Sequence, residues 1–161
     1  MGTAKDSELT KQKIVQAAGQ LFVEKGFSGV TVREIVKKAD THLSALNYHF
    51  NGKKALYSEV VLHACRLASI SAEYKKQLAR IDPQKALFVL VQELLNKYDK
   101  QKSLNWQLVI ITREIWEPSQ VFDEVVQTYL RPETEFVSSI IGKITDQKPE
   151  AYQVRFAVIS M

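Results

Sequence analysis

Asn47 carries a carboxamide, a group able to bind the N6/N7 edge of adenine through two hydrogen bonds, and it stands in the short run Leu43-Ser44-Ala45-Leu46-Asn47-Tyr48-His49-Phe50. Ser44 can reach either kind of base edge, and Ala45 or Leu43 can touch a thymine methyl. Arg33, upstream, can reach guanine O6/N7 or a phosphate. Around these, Thr31, Tyr48, His49 and Lys53 bring donors suited to phosphate oxygens, contacts that give affinity without sequence choice. The chemistry on offer is recognition. Catalysis is poorly served: His42, His49 and His63 supply no nucleophile with a base, and His63 and Cys65, two apart on a helix, face different ways and cannot chelate together. A Walker A loop and a dinucleotide glycine fingerprint are both missing, so no enzyme activity, cofactor or metal is expected.

The elements that must position these residues are helices. Apolar residues recur with a period near 3.6 along almost the whole chain, which predicts an all-α fold. Ile14, Ala17, Ala18, Leu21 and Phe22 share one face of a first helix over Ser7 to Lys25, and Gly26 follows as a residue able to take positive φ. Thr31 and Glu34 have the spacing of a capping box, and Val30 with Ile35 that of a hydrophobic staple. A second helix therefore starts at Thr31 and runs to about Ala39, and Asp40-Thr41-His42 breaks the chain before a third over Leu43 to Phe50. Two short helices joined by such a break make a helix-turn-helix, whose second helix fits a major groove about 12 Å wide. Leu46 and Phe50, four apart, must then face the core with Ile35, Val36 and Ala39, leaving Leu43, Ser44, Ala45, Asn47 and Tyr48 outward.

After Asn51-Gly52 one long helix of some seven turns is predicted through Leu56 toward Leu78, joining a domain of residues 1–52 to a larger one of residues 53–161. Asp82-Pro83 starts the next helix, to about Tyr98; Ser103 can cap another, to Trp116. From Phe122 to Ile144 one apolar face continues through Pro132, which predicts a kink and not two separate helices. The last pattern begins at Pro149 and meets Met161 without a cap, so the second domain reads as incomplete at its C-terminus.

Composition sets the outer limits. With 161 residues and 45% apolar content the chain can bury a good core, which excludes disorder. Nine Lys/Arg face six Asp/Glu in residues 1–60, against thirteen and twelve beyond, so the polyanion-facing end is the N-terminal one. Cys65 is the sole cysteine, suits a reducing compartment and reads as a small buried apolar residue. No apolar run approaches the roughly 18 residues a membrane span needs, and MGTAKDSELT lacks a signal peptide's apolar stretch, so a cytoplasmic protein without membrane contact is expected.

Over Lys11 to Leu56 the chain resembles the DNA-binding domain of the tetracycline-repressor (TetR) family. The resemblance rests on Ile14, Ala17, Leu21 and Phe22, then Gly26-Phe27, Thr31-Val32-Arg33-Glu34-Ile35, Leu46, Tyr48-His49-Phe50, Lys53 and Ala55-Leu56. It implies phosphate contact by Thr31, Tyr48, His49 and Lys53, and puts Arg33, Leu43, Ser44, Ala45 and Asn47 at base-reading positions. The turn departs from the family's Gly-Val-Ser or Gly-Val-Asn: His42 replaces the usual cap, and Thr41 is the alternative one. Asn-Tyr-His-Phe at Asn47 to Phe50 and Arg-Glu-x-x-Glu-Pro-Ser at Arg113 to Ser119 resemble the CecR-like branch.

What the resemblance implies is a homodimer that binds a palindromic operator in double-stranded DNA, usually as a repressor, and releases it when a small-molecule effector binds the second domain. The helix ending at Trp116 offers the only hint of where an effector sits. Leu104, Leu108, Ile111 and Ile115 form one stripe, expected to be the core face; Trp106, Val109, Ile110, Arg113 and Trp116 form another, expected to line a cavity or partner. Arg113 is then either a counter-ion for an anionic effector or the i, i+4 partner of Glu117, and Tyr98 and Tyr129 are further pocket candidates. The competing reading is a helical ligand-binding or adaptor protein that no longer binds DNA, favoured by the unusual turn.

Overall fold

A computed structural model of the chain describes residues 4–99 and 106–159. Among them only helices occur, as the periodicity predicts: α1 (Ala4–Gly29), α2 (Val32–Lys38), α3 (Leu43–His49), α4 (Lys53–Ala68), α5 (Ala72–Leu78), α6 (Pro83–Asp99), α7 (Trp106–Trp116), α8 (Phe122–Val125), a π turn (Val126–Leu130), α9 (Arg131–Thr145) and α10 (Tyr152–Ile159). No described helix is long and apolar enough to cross a membrane. The chain forms two compact units, one of residues 1–68 and 105–125, the other of residues 69–104 and 126–161. The first unit thus extends past residue 52, taking in α4 and α7.

In the first unit α1 breaks at Gly26, whose φ of 72° is a conformation glycine adopts without a Cβ penalty. Thr31 and Glu34 form both halves of the capping box of α2, and the staple residues Val30 and Ile35 are buried. The core collects Ile14, Ala18 and Phe22 of α1, Leu46 of α3, and Leu56, Val60, Val61 and Ala64 of α4. Cys65 is buried with them, and burial pushes its thiol up to about 11, which leaves it unreactive at neutral pH.

The single long helix expected after Asn51-Gly52 is two. α4 ends at Ala68, and α5 starts at a new N-cap, where the Ser71 side chain accepts from the Tyr74 N–H. The break is held open in the second unit: Glu133 accepts the Ile70 N–H at 3.2 Å and pairs with Lys75 at 3.0 Å. Leu78, Ala86 and Ile140 centre that unit's core. Asp82 caps α6 as its sequence requires, accepting the Lys85 N–H at 3.0 Å. Around Pro132 the helix does not merely kink: it widens into the π turn just before, which absorbs the register change that the missing proline N–H imposes.

α7 divides both expected stripes. Trp106, Ile110 and Glu114 are its buried residues, so two members of the stripe assigned to a cavity are core, while Trp116 of the same stripe is 81% exposed. Of the stripe expected to be the core face, Leu108 and Ile111 are half-buried, Ile115 is 49% exposed and Leu104 lies outside the described residues. Trp106 fits because Gly19 of α1 leaves room for its indole, which stacks on His63 and donates to Gln16 Oε1 at 3.1 Å. Burial lowers the pKa of that histidine.

Candidate nucleic-acid interface

α3 is anchored from beneath and open above. Leu46 is fully buried and Phe50 nearly so, over Ile35 and Ala39 of the preceding segment. On the other side Asn47 and Ser44 are exposed, Leu43 is 48% exposed, Tyr48 80%, and Ala45 half-buried. An exposed leucine and tyrosine flanking a carboxamide and a hydroxyl form a surface with both apolar and hydrogen-bonding reach, the mixture base edges require. Arg33 is exposed on α2.

The turn before α3 resolves the capping question. His42 is the N-cap and makes no side-chain cap bond, and Thr41 does not replace it. Asp40 takes the left-handed conformation, φ 50°, at the point where a glycine would be expected; Asp tolerates it better than most residues. Hydrogen bonds from the Asp40 and Thr41 N–H groups to Lys37 and Val36 carbonyls hold the turn.

The phosphate candidates differ in how far they are already committed. Tyr48 and His49 meet edge to face, centroids 5.0 Å apart. Thr31 gives its hydroxyl and N–H to Glu34 Oε2, both at 2.8 Å. Glu34 is also bonded by Lys25, and that bond, followed by those from Thr31, holds its carboxyl down at about 2. Lys53 donates to the carbonyls of Phe27 and Val30, both at 2.9 Å, with its ammonium 4.4 Å from the Phe27 ring centroid. It is a clamp across the bend between α1 and α2, with one of three N–H donors left over.

Of the effector candidates, Trp106 and Ile110 are core residues of the first unit, Tyr129 lies half-buried in the π turn of the second, and the Tyr98 side chain lies outside the described residues. Arg113 donates to the carbonyls of Phe22 at 2.5 Å and Val23 at 3.2 Å, in the last turn of α1 before the break at Gly26. It caps α1 from another helix with two of its five N–H donors, and makes no ion pair with Glu117. Beside it Glu114, missed by the sequence reading, is fully buried and accepts from Tyr57 Oη at 3.1 Å and the Ser119 N–H at 2.7 Å. Burial, then the charge of Glu114, pushes the Tyr57 hydroxyl up to about 12. An acid within an otherwise apolar helix was the available signal. Arg113 also borders a cleft of about 600 Å³ with Phe27, Lys54, Tyr57, Glu117 and Gln120. Among the described residues no cluster of His, Cys, Asp and Glu could hold a metal.

Residues 14–60, which carry this surface, match the profile of the bacterial regulatory proteins of the tetR family. Over 140 residues the chain is 32% identical to the probable HTH-type transcriptional regulator YttP of Bacillus subtilis, an alignment covering 86% of this chain and 66% of that one. The chain belongs to the TetR family. Its residues 83–161 match the C-terminal domain of the HTH-type transcriptional dual regulator CecR, placing this TetR member in the CecR-like branch. A 51-residue stretch, 32% of the chain, is 41% identical to IcaR, the negative transcriptional regulator of the icaADBC biofilm operon in Staphylococcus aureus, of which it covers 27%. In three dimensions the TetR fold is shared with HlyIIR, a hemolysin II transcriptional regulator, at a TM-score of 0.66 and 23% identity over 94% of this chain and 82% of that one. The chain thus spans about two thirds of YttP and about a quarter of IcaR. These TetR relatives are regulators and not enzymes.

Proposed function

We propose that this chain is the DNA-binding and part of the effector-responsive region of a transcriptional repressor. α3 enters the major groove, with Arg33, Leu43, Ser44, Ala45 and Asn47 reading base edges and Thr31, Tyr48, His49 and Lys53 holding phosphates. The observation that carries the reading is the outward face of α3: Asn47 and Tyr48 lie open to solvent while Leu46 and Phe50 anchor the helix below. Lys53 keeps its clamp and offers its third N–H; Thr31 exchanges a bond to Glu34 for one to phosphate.

Two such surfaces must lie roughly 34 Å apart to read a palindrome, so the working form is a homodimer in the cytoplasm, and an effector preferring another spacing releases the operator. Repression as the sense of control follows IcaR, a negative transcriptional regulator.

Selection of bound fragments from a genomic library at low salt tests the reading. A palindromic consensus whose enrichment falls with salt is the expected result. The rival reading, a helical ligand-binding or adaptor protein without DNA affinity, draws on the missing side-chain cap at His42. It wins if no fragment is enriched at any salt concentration.

A further inference from the structure

We propose that the cleft beside the α1 break binds a planar two-ring aromatic carboxylate. The proposal deepens the effector reading above; only its relevance to DNA rests on that reading.

The cleft's volume, about 600 Å³, falls among small-molecule sites of about 300–1,000 Å³ and exceeds what one ring would fill. Its aromatic wall is the half-buried Phe27 ring, backed edge to face by Tyr57 with centroids 5.3 Å apart. Tyr57 has its hydroxyl proton committed to Glu114, so its contribution to the cleft is apolar. The charged end is set by Arg113 and Lys54 against the single carboxylate of Glu117, which favours an anion over a cation. Arg113 is the better placed of the two cations. Its terminal nitrogens are fixed by the Phe22 and Val23 carbonyls, neutral groups that hold the guanidinium still without cancelling its charge. Two of its five N–H donors are used in this way, leaving three for a carboxylate, and a donor already immobilised loses little entropy on binding. A phosphate alone would leave the aromatic wall unused, and a neutral arene would leave both cations unused.

The full chain, without DNA, is titrated with 2-naphthoate followed by its intrinsic fluorescence, and in parallel with neutral 2-naphthol. Saturable binding is expected, with naphthol weaker by roughly tenfold, the worth of one charge-assisted contact. Gln120→Trp fills the cleft from an exposed position and should abolish the signal; Lys54→Gln should weaken binding about two- to fivefold. Absence of saturable binding, equal affinity for naphthol, or undiminished binding in Gln120→Trp overturns the site. DNA binding of the same proteins is measured separately. Fragment binding without naphthoate binding removes this site and leaves the regulator reading standing; naphthoate binding without any bound fragment does the reverse.

Discussion

The indole of Trp106 lies against Gly19 so closely that no Cβ could be placed on the glycine without moving the ring. That ring is not free to move, since it stacks on His63 and is tied to Gln16. Alanine is worth about 1 kcal/mol over glycine inside a helix. Overpacking of a held ring costs about 1–3 kcal/mol, and we expect it to win. Gly19→Ala should therefore lower the melting temperature; a rise would show that α7 yields to α1 without strain.

Lys53 has two tasks, and substitution should separate them. Charge-assisted bonds are worth about 1.5–3 kcal/mol each, and these two are half-buried, so Lys53→Ala should unfold at a clearly lower denaturant concentration. The same protein should bind all DNA sequences more weakly, with a salt slope smaller by about 0.9. Unchanged stability would remove the clamp, and an unchanged slope would remove the phosphate contact.

Asn47→Ala should behave in the opposite way. The side chain is exposed and bears no load in the fold, so melting should not shift. Binding at the preferred operator should weaken by about 1–3 kcal/mol with choice relaxed at one base pair. Equal losses on all sequences would contradict base reading.

Glu34 ties part of the fold's stability to pH. Its carboxyl is held at about 2, below the ordinary glutamate value of 4.5, chiefly by Lys25 and then by Thr31. A depressed folded-state value contributes stability that is complete above about 4.5 and is lost as pH falls toward 2. Glutamine keeps the geometry of a capping box without the charge. Between pH 5 and pH 2 the melting temperature of the natural protein should fall more steeply than that of Glu34→Gln, measured by circular dichroism. Parallel curves would show the pair to be without consequence.

How much of this was legible before folding depends on how far apart the interacting residues lie. Thr31 with Glu34, Val30 with Ile35, Leu46 with Phe50 and Asp82 with the N–H of Lys85 act across a single helical turn, so their spacing alone announced the helix starts and the outward face around Asn47. Local chemistry of this kind needs no knowledge of the rest of the chain, and it is why the helix-turn-helix and its family could be read from the amino-acid order. α7 is the opposite case. Apolar on two sides, it satisfies the helical period whichever side faces in, and the choice fell to Gly19, which makes room for Trp106, and to the carbonyls of Phe22 and Val23, which take Arg113. The break at Ser69 to Ser71, the burial of Glu114 and the clamp of Lys53 likewise depend on partners distant in the chain, Glu133, Tyr57 and Phe27 among them. Periodicity says which residues share a face; only the packed neighbours decide what that face meets.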